Sequence, residues 1–569
     1  MMQTKTEQKQ QSFLYATLIL GMSTLLVKIM GAIFRIPLSN LIGATGMGYF
    51  STAYDVYLPI YALAMAGLPV AVSRIVAQYV AEQRYKDARR ALRVVKRTFL
   101  ITGLIGFFLM FVVAFIVTSV AKNPGALPAM FVIAPSLLFC CIMSSYRGYY
   151  EGLRNMFPTA ISSLIEATCK LVLGYSLAWL VMKYMPGEPA KVASYAAAAA
   201  MLGITLGTVF GSAFLIIRHK TVGDGFTRDQ IRFSPPAVDG KTIFKALIAI
   251  AVPVALGSLV NNIASLIDVA MVQRQLFGAV ERSPEIFRQM YGQYLVDETG
   301  TALTDSQIPN FLYGCYKGYA YTIFNFVPTI TSVVGVSALP VLTMAWTSRN
   351  KAAIKANIES MLKVITLIAF PAGIGVMALA PQIVQLLYRS SEAVIAAKLL
   401  RILGAAACFA GMTTPMTNML QAIGRPMAPV KNIAVGAIIK IGVNFILVGI
   451  PQVNILGAPI GTLMCYMYIA AADLFCLVKY SRVVPSIFTT ILKPLAAAAA
   501  CGLTAFLVNL LLTALLSGGK LTTLISIFAA VIVYLVAISL FRCIDRNDIV
   551  TLPKGEKIAE ICTKFHIIR

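Results

Sequence analysis

Lys28, Arg35, Lys170, Lys317 and Lys440 fall inside stretches that are otherwise apolar for about 20 residues, the length that crosses a bilayer core. A charge in hydrocarbon costs several kcal/mol and normally faces protein or a wet cavity. Lys28 and Arg35 are seven residues apart, hence on one face of one helix. Two such cations suit a water-filled cavity that attracts an anion, for instance a pyrophosphate. Arginine brings a planar fork for phosphate oxygens and lysine a point charge. Snorkelling to the outer interface is the bland alternative for Arg35, and equally for Arg74 and Arg401. The segment SSYRGYYEGLRNMFP (144–158) adds Arg147, Glu151 and Arg154. These residues either receive an anionic headgroup at the inner leaflet or form a tyrosine-rich interfacial anchor.

Acids inside the apolar stretches are few: Asp55, Glu166, Asp268 and Asp473. Glu166 and Lys170 are four apart, the spacing of an intrahelical ion pair. Lys440 and Asn444 share one helix face. Either Asp268 pairs with Lys440 structurally, or Asp268, Lys440 and Asn444 bind and release a coupling ion or proton. The ten cysteines lie mostly within apolar stretches and show no metal-ligand spacing, and His219 and His566 stand apart from them. No catalytic residue, metal or cofactor is expected; membrane potential or a coupling cation would supply energy.

These residues need a membrane scaffold to position them. Hydrophobic residues make up 58% of the 569-residue chain, charged residues 12%, and mean hydropathy is +0.79. Backbone groups in lipid are satisfied within helices, so the pattern predicts an all-α polytopic protein. Fourteen spans are expected: 13–38, 50–80, 98–118, 126–147, 157–182, 194–217, 243–273, 311–345, 361–387, 394–423, 430–450, 456–478, 491–516 and 521–541. The formal charge of +25 is explained by topology. With both termini cytoplasmic, 32 of the 48 Lys and Arg residues fall inside and nine outside, the positive-inside bias of a bacterial cytoplasmic-membrane protein. No nucleic-acid partner is implied. The run RYKDARRALRVVKR (84–97) is expected to form an amphipathic interfacial helix on anionic lipid. The loop 274–310 is expected to be the largest outward one.

Two short matches recur at one offset. Leu68, Pro69 and Val70 match Leu339, Pro340 and Val341, and Arg154, Met156 and Pro158 match Arg425, Met427 and Pro429, both at 271. They predict two parallel six-helix repeats, 1–235 and 236–485, followed by two additional helices and a cytoplasmic tail in 486–569.

The segments KIMGAIFRIPLSNLIGATGMGYF (28–50), AGLPVAVSRIVAQ (66–78) and YRGYYEGLRNMFPTAISSLIEA (146–167) resemble the MurJ/SpoVB group of lipid II flippases. That group lies within the superfamily of multidrug, oligosaccharidyl-lipid and polysaccharide exporters. The resemblance runs through most of the chain and does not separate vegetative flippases from sporulation-associated relatives. It implies a V-shaped pair of bundles around a cationic cavity and a groove for a polyprenyl tail on the last two helices. It implies a lipid-linked oligosaccharide pyrophosphate as substrate, with membrane lipids as surroundings and a monomeric chain. Arg35 matches the family's span-one arginine, and Lys28 stands where a basic residue often precedes it. Ile36 departs from the aspartate of Gram-negative members, and Lys317 lies about a turn from their span-eight arginine. A sodium site of the kind proposed for some members would use Asp268 and Asn444, with Lys440 among the ligands.

Overall fold

Apolar runs with internally satisfied backbones fold as helices throughout. The computed structural model describes residues 13–65, 67–296, 301–389, 392–516 and 519–543. In chain order the helices are α1 Phe13–Met65, α2 Leu68–Ala81, α3 Tyr85–Val120, α4 Leu127–Ile133, α5 Ser136–Gly152, α6 Phe157–Tyr184 and α7 Pro189–Thr221. There follow α8 Arg228–Phe233, α9 Gly240–Arg282, α10 Pro284–Tyr291, α11 Ile308–Gly314, α12 Tyr321–Phe324, α13 Phe326–Thr347 and α14 Lys351–Ala378. The remainder are α15 Ala380–Leu387, α16 Ala393–Ala422, α17 Met427–Val448, α18 Gly457–Ser481, α19 Lys493–Leu516 and α20 Lys520–Leu540. No ladder strand occurs among the described residues; one isolated bridge joins Val296 and Ala302.

Eleven segments of the described chain are long and apolar enough to cross a membrane. One of them, Met22–Ala81, is 60 residues long. At 1.5 Å per residue it far exceeds a core about 30 Å thick, so it crosses twice. The break is Gly43, whose φ of 63° lies in the left-handed region that a side chain disfavours. With α9 and the α11–α13 run also long enough to cross, the architecture is consistent with fourteen spans. The tails that carry part of the inward positive charge, 1–12 and 544–569, lie outside the described residues.

Two compact units share the chain. The first runs through Arg274, and the second takes up Gln275–Val296 and continues from Ala302. Most of α9 therefore packs with the first unit. Its Ile243, Leu247 and Ala251 join Ala71, Val72, Val95, Phe99 and Tyr149 in one buried core. Toward its other end, Gln273 accepts from Asn123 at 2.9 Å and donates to Thr52 at 2.5 Å, all three buried. The second unit's core joins α13, α14, α16, α18 and α19 through Leu342, Leu362, Ile365, Met416, Leu477 and Ala498. The expected long outward loop is largely helical, because α9 continues to Arg282 and α10 follows at once.

The repeat is visible in backbone hydrogen bonds. At the α5–α6 turn, Leu153, Arg154 and Asn155 donate to the carbonyls of Tyr149, Glu151 and Tyr150 at 3.1, 2.9 and 2.9 Å. At the α16–α17 turn, Ile423, Gly424 and Arg425 donate to Met419, Gln421 and Leu420 at 3.1, 3.0 and 2.9 Å. The left-handed residue is Arg154 in one (φ 59°) and Gly424 in the other (φ 77°). These equivalences, and the starts of α6 and α17, stand at an offset of 270. The sequence matches at 271 are thus one residue out of structural register here. The other match reaches 336–340, where side chains lie outside those described.

The basic run 84–97 does not form a separate interfacial helix. It begins α3 and fastens the 222–239 loop to it. Arg89 holds Asp224 through two hydrogen bonds at 2.5 and 2.8 Å, and Lys86 Nζ donates to the Ser234 carbonyl at 2.9 Å. Buried Asp87 accepts from Arg84 and from the Val238 N–H, both at 2.7 Å. Partial burial disfavours the Asp224 carboxylate, but Arg89, the Phe226 N–H and the Tyr149 hydroxyl outweigh it and hold its pKa below the usual 3.8. A depressed carboxylate contributes stability that is complete above its unfolded pKa and disappears as pH falls through the folded one. Asp224→Asn should therefore lower the melting temperature in detergent by the same amount at pH 7 and pH 5. The gap should close only below the ordinary carboxylate range; closure already at pH 6 would remove Asp224 as its cause.

Candidate functional site

In the first unit, Arg35 on the first crossing of α1 is half-buried and Phe34 beside it is buried. The Arg35 guanidinium carbon stands 5.3 Å from the ring centroid of Tyr54, on the second crossing, and 6.0 Å from that of Phe50. Lys170 on α6 reaches the same place: its Nζ is 5.5 Å from the Tyr54 centroid and 5.3 Å from that of Phe34. An arginine and a lysine thus share one tyrosine ring. Glu166, expected to pair with Lys170, is instead bound by Arg147 at 3.1 Å, while the Arg147 Nε donates to Ser162 at 2.9 Å. Among the described residues, neither Arg35 nor Lys170 has a carboxylate within 4.0 Å. A cation over a ring gains only about 0.5–2 kcal/mol, less than an ion needs on leaving water. Both retain unspent N–H donors.

These side chains border a cavity of about 330 Å³. Its walls include Gly31, Tyr54, Tyr57 and Tyr61 of α1, Arg147 of α5, and Glu166 and Lys170 of α6. That volume lies at the small end of ligand sites. Lys28, two turns before Arg35, is exposed. Arg154 is exposed at the α5–α6 turn, and half-buried Glu151 lies one turn along α5 from Arg147. The structure therefore brings Arg35, Arg147 and Lys170 around Tyr54 and the cavity, with Arg154 at the helix end and Lys28 along α1.

In the second unit, Lys317 is 5% exposed. It sits in a turn of π-helix, Cys315–Ala320, between α11 and α12, a local widening frequently found at functional positions. Its Nζ is 4.5 Å from the Tyr321 ring centroid and 5.9 Å from that of Tyr316. Tyr321 hydrogen-bonds Tyr466 of α18, and Lys440 of α17 lies close enough to Tyr466 to act on it electrostatically. Asn444 is fully buried one turn beyond Lys440. Asp268 is 1% exposed on α9, within the first unit.

Sequence reasoning missed several of these. Lys170 had been assigned to a local ion pair, the tyrosines carried no charge to mark them, and Lys363 of α14, 7% exposed, had been counted with the loop before it. The signal for Lys170 was present: in the structural register of 270 it is equivalent to Lys440. No group of three or more His, Cys, Asp or Glu side chains placed to hold a metal occurs among the described residues.

Known proteins resemble this arrangement at the level of sequence and fold. The family model for polysaccharide biosynthesis protein matches residues 13–346, and that for lipid II flippase MurJ matches 314–541. Lipid II flippase MurJ of Bacillus subtilis (strain 168) is 23% identical over 467 residues, 80% of each chain. Stage V sporulation protein B of the same organism is 24% identical over 457 residues, 79% of this chain and 80% of that one. Among solved structures, a lipid II flippase MurJ in an inward closed conformation superposes with a TM-score of 0.66 at 15% identity, covering 92% of this chain and 98% of the other. An inward-facing multidrug resistance MATE family transporter follows the same fold at a TM-score of 0.59 and 18% identity, covering 82% and 98%. The chain belongs to the polysaccharide biosynthesis protein family and is a MurJ/SpoVB-type flippase of the exporter superfamily that also holds the MATE proteins, a multi-pass membrane transporter and not an enzyme.

Proposed function

We propose that this chain is a lipid II flippase. It carries the undecaprenyl-pyrophosphate-linked peptidoglycan precursor from the inner to the outer leaflet of the bacterial cytoplasmic membrane by alternating access. The observation that carries this is the pair Arg35 and Lys170, sharing the Tyr54 ring beside a cavity and with no carboxylate spent on them. A pyrophosphate would supply the missing negative charge and accept the unspent N–H donors. Arg147 and Glu151 would stand behind it, and Lys28 and Arg154 would meet the headgroup along its path. A drug antiporter that carries cations would require the opposite balance of buried charge.

A second reading has its own support. The polysaccharide biosynthesis match covers residues 13–346 and so includes the whole Arg35–Lys170 site, whereas the lipid II flippase match begins at 314. The same pyrophosphate grip would serve another lipid-linked polysaccharide, since the glycan lies beyond the phosphates. On either reading the chain works as a monomer with both termini cytoplasmic. It is driven by membrane potential or by an ion at Asp268, Lys440 and Asn444. A role in sporulation follows the likeness to the stage V protein.

Reconstituted vesicles decide between the two. Fluorescent lipid II and a fluorescent undecaprenyl-pyrophosphate polysaccharide intermediate are each supplied to one leaflet, and their appearance on the other is followed by quenching. Faster movement of lipid II is expected; movement of the polysaccharide intermediate alone would transfer the assignment.

A further inference from the structure

Read in the structural register, the two units repeat more than their helices. Lys170 on α6 and Lys440 on α17 occupy equivalent positions, 270 apart, the offset fixed by the hydrogen-bonded turns that precede both helices. The next turn confirms it. A Cβ on Gly203 would collide with the backbone of Gly174, and a Cβ on Gly461 would collide with Asn444. Gly174 and Asn444 are again 270 apart, so each lysine stands one turn before the tightest crossing of its helix pair. The surroundings are also alike. In the first unit, Tyr54 lies between Arg35 and Lys170. In the second, Tyr321 and Tyr466 link Lys317 to Lys440. Two membrane-embedded cations joined through phenol rings occur once per unit.

We propose that the second unit has a phosphate-binding subsite of its own, built from Lys317, Tyr321, Tyr466 and Lys440, as counterpart of Arg35, Tyr54 and Lys170. Its ligand is the phosphate or pyrophosphate group of the transported lipid. The inference rests on reading that lipid as an anion. Lysine suits such a subsite because its compact ammonium can turn to any phosphate oxygen, and the tyrosine hydroxyls supply further donors. A protein that grips the same group in both repeats keeps it bound while one grip loosens, which a single site cannot do. The competing account gives Lys440 to Asp268 as a structural ion pair.

The test is calorimetric titration of the purified full-length chain in detergent with inorganic pyrophosphate. Two sites per chain are expected. Lys170→Gln and Lys440→Gln should each leave one site, and the double variant none. Lys317→Gln should weaken the second site by about tenfold or more, the worth of a charge-assisted hydrogen bond. Lys440→Arg should keep both sites within roughly threefold, since charge is retained. Unaltered binding by Lys440→Gln, or loss of all binding with Lys170→Gln alone, would overturn the second subsite. So would recovery of the Lys440→Gln defect by adding Asp268→Asn, the signature of a structural pair. Should Lys440→Gln not accumulate, Lys317→Gln and Tyr466→Phe report on the same subsite. Two pyrophosphate sites in a chain that moves no lipid-linked substrate would refute the flippase reading while sustaining the subsite.

Discussion

Arg35→Ala is expected to reduce transport of the lipid-linked substrate by about 10- to 100-fold, the equivalent of roughly 1.5–3 kcal/mol for a charge-assisted hydrogen bond to phosphate. The effect should not arise from misfolding. Arg35 touches the rings of Phe50 and Tyr54 and no carboxylate, so its removal forfeits only a cation–π contact of about 0.5–2 kcal/mol and relieves repulsion from Lys170. Membrane abundance and melting temperature should stay near wild type. Arg35→Lys should fall between, because a point charge replaces a two-pronged donor. The measurement is initial rate against substrate density in vesicles, with protein quantified in parallel. Undiminished transport by Arg35→Ala would remove the arginine from the site, and a parallel fall in rate and melting temperature would make its role structural.

Gly203→Val should produce the largest loss of stability. Its α-carbon faces Gly174 where α6 and α7 cross, and an added Cβ would overlap the Gly174 backbone. Backbone cannot rotate away as a side chain can. The helices must separate, and without a hydrophobic drive between lipid-embedded helices their close packing holds them together. Overpacking typically costs about 1–3 kcal/mol where side chains can yield, and a backbone clash exceeds that. The apparent melting temperature should drop by several degrees or the protein fail to accumulate. Gly442→Ala is the control: a Cβ there meets nothing within 4 Å, and helix propensity favours alanine by up to about 1 kcal/mol. Equal behaviour of the two variants would contradict the packing described at α6 and α7.

The helices were legible because crossing a bilayer is a one-dimensional requirement on length and hydropathy. The site was legible only where charge marked it. Arg35 and Lys317 stood out as cations in apolar runs, but Tyr54, Tyr321 and Tyr466 look like ordinary membrane aromatics. Glu166 was misassigned because four-residue spacing suggests Lys170, while its partner Arg147 arrives from α5, 19 residues away. The basic run 84–97 looked lipid-facing because Asp224, Ser234 and Val238, which it holds, are 135–151 residues distant. The repeat was recognised with a one-residue slip. Side-chain identity gave 271 and backbone hydrogen bonding gives 270, which is why the equivalence of Lys170 and Lys440 escaped the sequence.

One measurement addresses the central claim most directly: outer-leaflet exposure of labelled lipid II in cells depleted of their own flippase and expressing this chain. Exposure should return to the level of undepleted cells with the wild-type chain and stay at the depleted level with Arg35→Ala at equal membrane abundance. No return of lipid II to the outer leaflet with a fully inserted wild-type chain would contradict its assignment as a lipid II flippase.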